Sequence, residues 1–242
     1  MARLSVNVNK VATLRNARGG EVPSVLAAVR TILGAGCVGI TVHPRADERH
    51  IQRRDVIEIA RELAPLCERV EYNIEGDPRP DLMDLVCELR PHQCTLVPVL
   101  PGEITSQAGW SASTSQAEIG AVVRRLQAHG VRVSMFVDPE PAPIRWAAAL
   151  GAERIELYTE PFARAVAEGH GEASLARYAE ATALAHGLGL GINAGHDLDL
   201  GNLPLFRRLP HLDEVSIGHA LISRALFVGL DAVVREYLAA LA

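Results

Sequence analysis

The feature that most constrains this chain is a regular alternation of strand-like and helix-like segments from end to end. Short β-type runs occupy Leu4–Val8, Val38–Val42, Val70–Ile74, Cys94–Val97, Val131–Val137, Arg154–Tyr158, Leu190–Asn193 and Glu214–Ile217. Between them lie longer amphipathic stretches: Val22–Leu33, Asp55–Leu66, Pro80–Leu89, Gln116–His129, Pro141–Leu150, Ala173–His186 and Leu203–Leu209, with Leu230–Leu241 after the last strand. Glycines at Gly34, Gly36, Gly130 and Gly151 supply helix stops. A strand that returns through a helix to another strand pairs with it in parallel. Eight such periods close naturally on themselves. The expected fold is therefore α/β, a single (β/α)8 TIM barrel over residues 1–242 with its active site at the C-terminal ends of the strands. A doubly wound open sheet is the alternative.

At 242 residues the chain has the size of one such barrel, and no Pro/Gly/Ser linker or block of charge divides it. Its formal net charge of −5 argues against broad binding to nucleic acid or to an anionic membrane. A small anion is still within reach of a local cluster of arginines and backbone N–H groups. Cys37, Cys67, Cys87 and Cys94 lack CxxC spacing and sit in apolar surroundings, as buried reduced thiols do. The N-terminal run carries Ser5 and Asn7 where a signal peptide needs apolar residues, and no stretch has the ~18 apolar residues of a membrane span, so a cytoplasmic location is expected. Of the 24 basic residues, Lys10 is the single lysine.

Polar and ionisable residues collect where the strands end. Asn7, Asn9 and Lys10 close the first strand, Thr41, His43 and Arg45 the second, and Asn73 and Glu75 the third. Asp138 follows the fifth, Glu156 and Tyr158 lie on the sixth, Asn193, His196 and Asp197 follow from the seventh, and Ser216, Gly218 and His219 from the eighth. Side chains two apart on a strand share a face, which pairs Asn7 with Asn9 and Asn73 with Glu75. Each has an ordinary structural alternative. His43 would be a histidine satisfied by a carbonyl, Glu75 a turn acid, Asp197 a helix cap, and Arg18 and Arg45 surface charges. Arg49, His50, Arg53 and Arg54 read as a solvated basic approach to a helix. All of these would have to hold at once. Gly195 and Gly218 fall in the loops after strands seven and eight, where barrels bind phosphate, and Gly218 to Ile222 reads as a turn opening into a short helix. The irregular stretch 98–115 follows a strand and reads as a long loop or lid.

Several motifs together resemble the pyridoxine 5'-phosphate synthase family. They are the opening segment from Val6 to Gly19, Gly39 to Arg45, Asp47 to Ile51, Asn73-Ile74-Glu75, Leu96-Val97-Pro98, Glu103 to Ser106, Asn193 to His196, and Ser216 to Ala220, in the family's order. The resemblance implies a cofactor-free condensation of 1-deoxy-D-xylulose 5-phosphate with 3-amino-2-oxopropyl phosphate, giving pyridoxine 5'-phosphate, inorganic phosphate and water. It implies that His43 and Glu75 accept protons, that His196 donates one and that Glu156 stabilises a transition state. It assigns substrate contacts to Asn7, Arg18, Arg45, His50, Thr105, Gly218 and His219 and a backbone contact to Asp197, and it implies an octamer. Asn9 and Lys10 are read as substrate contacts from their own chemistry, since an amide can bond a sugar hydroxyl and an ammonium a hydroxyl or phosphate. Where the family usually has Asp-His, this chain has Asn9-Lys10, a variant that one subgroup shares. Asp197 stands where Gly is more usual. Three other readings use the same residues: a metal-dependent lyase or hydrolase with His43, Glu75 and His196 as ligands, a Schiff-base aldolase on Lys10, and a non-catalytic barrel that binds phosphorylated metabolites.

Overall fold

Eight parallel strands, β1 (Arg3–Asn7), β2 (Gly39–Val42), β3 (Glu71–Gly76), β4 (Gln93–Leu96), β5 (Arg132–Val137), β6 (Arg154–Tyr158), β7 (Gly191–Gly195) and β8 (Leu212–Ile217), pair in sequence order, and β8 returns to β1. This closure excludes the open sheet. The computed structural model describes residues 2–98 and 107–242.

The strand sequences dictate which side faces where. Leu4, Val6, Ile40, Val42, Ile74, Leu96, Val133, Met135, Ile155, Leu157, Ile192, Val215 and Ile217 point outward into one apolar layer shared with the helices. Each aliphatic side chain so buried contributes about 1.5–3 kcal/mol. The alternate positions, Ser5, Thr41, Asn73, Gln93, Thr95, Ser134, Glu156, Asn193 and Ser216, are buried inside the barrel. Barrels of this kind usually fill that space with branched aliphatics; here it holds hydrogen bonds instead. Ser5 and Thr41 hydroxyls lie 2.7 Å apart, Thr95 Oγ1 donates to Asn73 Oδ1 at 3.1 Å, Arg132 Nε donates to Gln93 Oε1 at 3.1 Å, and Arg154 Nη1 donates to Asn193 Oδ1 at 2.8 Å. Connected in this way, buried polar groups avoid the cost of desolvation without a partner.

The helices are α1 (Asn9–Asn16), α2 (Val25–Gly34), α3 (Arg53–Leu63), α4 (Pro80–Leu89), α5 (Gln116–Ala128), α6 (Pro141–Ala149), α7 (Glu160–Ala167), α8 (Gly171–Gly187), α9 (Leu203–Phe206), α10 (His219–Val228) and α11 (Leu230–Leu241). Several bounds differ from expectation for local reasons. Helix α2 starts at Val25 because Ser24 Oγ accepts the Ala27 N–H. Helix α3 starts at Arg53 because Gln52 and Asp55 form a capping box. Helices α1 and α7 were not expected: each is a short turn of chain without a wide apolar stripe. The chain leaves β1 directly into α1, so Asn9 opens a helix rather than extending the strand, and strand parity does not relate it to Asn7. Cys37, Cys87 and Cys94 are buried as expected; Cys67 is exposed.

Candidate active site

The C-terminal ends of the strands surround a cavity of about 480 Å³. Its wall includes Asn7, Asn9 and Lys10 from the β1–α1 junction, and His43, Arg45, Arg49 and His50 from the segment after β2. Glu75 of β3, Glu156 of β6, His196 and Asp197 after β7, and Ser216, Gly218 and His219 at the β8–α10 junction complete it. Residues scattered from 7 to 219 thus share one cup.

Each wall is held by its own backbone. Asn7 Oδ1 accepts the Asn9 N–H at 3.0 Å, and Asn9 Oδ1 accepts the His43 N–H at 3.0 Å. The amide oxygen of Asn9 therefore tethers the strand end that carries His43. Arg79 Nη2 donates to the Pro44 carbonyl at 2.7 Å and steadies the turn that carries Arg45. Gly195 lies so close to Glu156 that a methyl group there would displace the Glu156 carboxylate. A methyl group on Gly218 would stand 3.0 Å from the Asn7 carbonyl. Gly218 also precedes the first turn of α10, whose free N–H groups and positive dipole end favour an anion.

Burial decides the charges. His43 lies with its Nδ1 3.8 Å from Glu75 Oε2, too far for a hydrogen bond, and its Nε2 has no partner among the described residues. Burial, followed by the charge of Arg45, holds the His43 pKa well below the usual imidazole value. Burial, then the Glu156 charge, raises Glu75 well above the usual carboxyl range. Burial, followed by Glu214, pushes Glu156 up to about 8, and its Oε2 is also without a partner among the described residues. Burial lowers His196 against the opposing pull of Asp197. His50 falls to about 4 through burial, then Lys10, Arg45 and Arg49; its Nδ1 accepts the Ile51 N–H at 2.9 Å, which leaves the proton on Nε2. Burial thus favours the neutral forms of His43, His50, His196, Glu75 and Glu156, while Lys10, Arg45 and Arg49 line the same cup. Proton-poor bases and proton-bearing acids within one small space suit a reaction with many proton transfers.

Not every expected residue is there. Arg18 is exposed beyond the end of α1 and does not line the cavity. Thr105 and the rest of residues 99–106 of the expected lid lie outside the described residues. The part of that stretch that is described is pinned. Trp110 is buried, donates its indole N–H to the Leu96 carbonyl at 2.8 Å, and offers its backbone N–H to Phe136 O at 2.8 Å. Asp138 accepts the Gly109 N–H at 3.1 Å, a structural task away from the cup. Asp197 caps nothing; Asp199 instead accepts the Gly201 and Asn202 N–H groups at 2.8 and 2.9 Å. Sequence reasoning missed Thr13, Val97, Phe136 and Leu198 in the wall and read Arg49 as a solvated charge. Phe136 was detectable, since it follows Ser134 by two on the inward face of β5. It packs against Tyr158 and His196 at ring distances of 5.5 and 5.4 Å and gives the His196 imidazole an apolar backing.

Residues 4–242 match the model of the family described as "Pyridoxal phosphate biosynthesis protein PdxJ". The chain belongs to this family. A PdxJ relative from Christiangramia forsetii, named pyridoxine 5'-phosphate synthase, is 52% identical over 98% of this chain and 98% of its own. Another of the same name, from Porphyromonas gingivalis, is 51% identical over the same shares. Among solved structures, a 3-hexulose-6-phosphate synthase superposes with a TM-score of 0.64 at 13% identity, covering 99% of this chain and 100% of the other, a likeness of fold alone. The PdxJ match spans every strand end that lines the cup. Among the described residues, no three His, Cys, Asp or Glu side chains stand close enough to hold a metal ion together, so His43, Glu75 and His196 do not form a ligand set as placed.

Proposed function

We propose that this chain is a pyridoxine 5'-phosphate synthase that condenses 1-deoxy-D-xylulose 5-phosphate with 3-amino-2-oxopropyl phosphate by acid/base catalysis, releasing phosphate and water. The observation that carries this reading, beside the family, is a pair of buried atoms without partners among the described residues, His43 Nε2 and Glu156 Oε2, on residues that line one cup of about 480 Å³. A native fold leaves such atoms unpaired where a ligand supplies the partner. The amine substrate enters as a cation, and its charge beside Glu75 lowers that carboxyl's pKa and turns it into a base. His43 takes protons in the imine and ring-closing steps, and His196 returns one to a leaving oxygen. Glu156, still protonated, donates a hydrogen bond to oxygen as negative charge develops there. The substrate amine forms the imine itself, so the chemistry requires neither an enzyme Schiff base nor a redox cofactor. Lys10, Arg45, His50 and the α10 N-terminus with Gly218 and His219 hold the phosphates, while Asn7, Asn9, Arg18, Thr105 and the Asp197 backbone contact the remaining substrate oxygens.

The protein works in the cytoplasm as one domain, without nucleic-acid or membrane partners. No helix of the described residues is long and apolar enough to cross a membrane. It assembles as a homo-octamer. Leu226 (68% exposed) and Phe227 (88%) present apolar side chains at the end of α10 that a second copy would cover. Light scattering checks this: a mass of eight chains is expected, and a lower mass for Phe227→Ser.

The deciding experiment mixes purified, chelator-treated protein with both substrates and follows the absorbance of pyridoxine 5'-phosphate. Product formation unaffected by chelator supports the reading. Its absence, or its restoration only by a divalent ion, overturns it.

A further inference from the structure

Behind the cup, a group of buried residues that touch no part of the cavity is wired to His50. Arg15 and Asp55 are each only 3% exposed and form a two-pronged ion pair, Nη1 to Oδ1 at 2.5 Å and Nη2 to Oδ2 at 2.9 Å. Asp55 Oδ2 also accepts the Gln52 N–H at 2.8 Å, which fixes the pair to the first turn of α3. Arg15 Nε donates to Asn16 Oδ1 at 3.0 Å, and this settles which way the Asn16 amide points. Its Nδ2 is left to donate to the His50 carbonyl at 2.8 Å, and Arg15 Nη2 reaches the same carbonyl at 3.4 Å.

We propose that Asn16, backed by the Arg15–Asp55 pair, is a positioning residue that sets His50 for substrate binding. The device works through the backbone. Holding the His50 carbonyl fixes the peptide plane whose next N–H, that of Ile51, meets His50 Nδ1. That bond selects the tautomer with the proton on Nε2 and keeps the ring aimed into the cup as a neutral donor. The same Asn16 amide also reaches the Glu48 carbonyl at 3.5 Å, in a loop that is otherwise tied locally, by the Glu48 N–H to Arg45 O at 3.0 Å and by the Arg53 N–H to Glu48 Oε1 at 3.1 Å. Helix α1 thus serves the site at both ends: Asn9 at its start holds the His43 N–H, and Asn16 at its end holds the His50 carbonyl. An ion pair sealed from water has little reason to sit there for stability alone, because desolvation offsets most of its attraction; a fixed geometry is what it supplies.

The inference rests on the reading of His50 as a substrate contact, and a double-mutant cycle separates the two. Steady-state kinetics and thermal unfolding are measured for Asn16→Ala, Asn16→Asp, His50→Ala and the double variant Asn16→Ala/His50→Ala. Asn16→Ala is expected to raise KM for one phosphorylated substrate by about 3–10-fold with kcat within about two-fold. Asn16→Asp, which keeps the size but loses the donor, reproduces this even if the alanine variant folds poorly. His50→Ala raises the same KM further, and in that background Asn16→Ala adds nothing. Additive effects in the double variant, or a normal KM in both Asn16 variants beside a raised one in His50→Ala, overturn the positioning role alone. A normal KM in His50→Ala overturns the substrate contact, and the positioning role falls with it.

Discussion

Glu71 and Glu75 stand four residues apart on the same inward face of β3, yet they live in opposite electrostatic worlds. At the lower mouth of the barrel Glu71 meets Arg3 at 2.8 Å and also pairs with Arg132, while Arg154 is spent on Asn193. At the upper rim Glu75 has a long contact of 3.4 Å from Asn7 Nδ2 and a neighbouring imidazole, and burial drives it towards its neutral form. Of the three buried side-chain atoms without a partner among the described residues, two belong to the rim, and the third is Ser134 Oγ midway down the barrel. A cluster whose charges satisfy one another is structure; one left waiting for partners is a site.

The largest effect expected from breaking this contrast is on turnover at the rim. His196→Ala should lower kcat by about 10²–10⁴-fold, the usual yield of a positioned acid or base, while the unfolding transition stays near wild type. Loss of folding with unchanged specific activity would place His196 with the structural residues instead.

A second test uses pH. Glu156 is raised to about 8 from an ordinary 4.5, so the folded state keeps a proton that the unfolded chain releases. A group protonated preferentially in the folded form contributes most at low pH, and that contribution fades as pH climbs from about 4.5 to about 8. Glu156→Gln removes the dependence. Its Tm should exceed wild type by roughly 3–6 °C at pH 8 and differ little at pH 5, with turnover reduced. A constant Tm gap across that range would mean that Glu156 is not held protonated.

The smallest expected change concerns the single lysine. Lys10 lines the mouth of the cup, and a compact ammonium makes point contacts that a planar guanidinium does not. Lys10→Arg should lower kcat/KM by about 3–10-fold; a wild-type value would show that any fixed cation suffices.

Much of this was legible in the sequence because the strands speak in a period of two. Runs such as Ser5-Val6-Asn7, Thr41-Val42-His43 and Asn73-Ile74-Glu75 set apolar residues against the helices and polar ones inside. The helical stretches with apolar faces were equally plain. Helix α1 was not, because what holds it is a buried ion pair to a residue 40 positions away rather than a stripe of its own. The wall residues Val97 and Phe136 were passed over because apolar side chains at strand ends look like ordinary core. Arg49 looked like solvated charge because its proximity to the cup depends on how the loop after β2 folds back, which no local pattern encodes.

The most direct test of the division between rim and base compares Glu71→Gln with Glu75→Gln, measuring kcat for pyridoxine 5'-phosphate formation and the free energy of unfolding for each. Glu71→Gln should lose about 1–3 kcal/mol of stability by leaving its arginines without a carboxylate, with kcat within about three-fold of wild type. Glu75→Gln should keep or gain stability and lose about 10²–10⁴-fold in kcat. If Glu75→Gln still turned over normally, or Glu71→Gln lost turnover while remaining fully stable, the account would be contradicted.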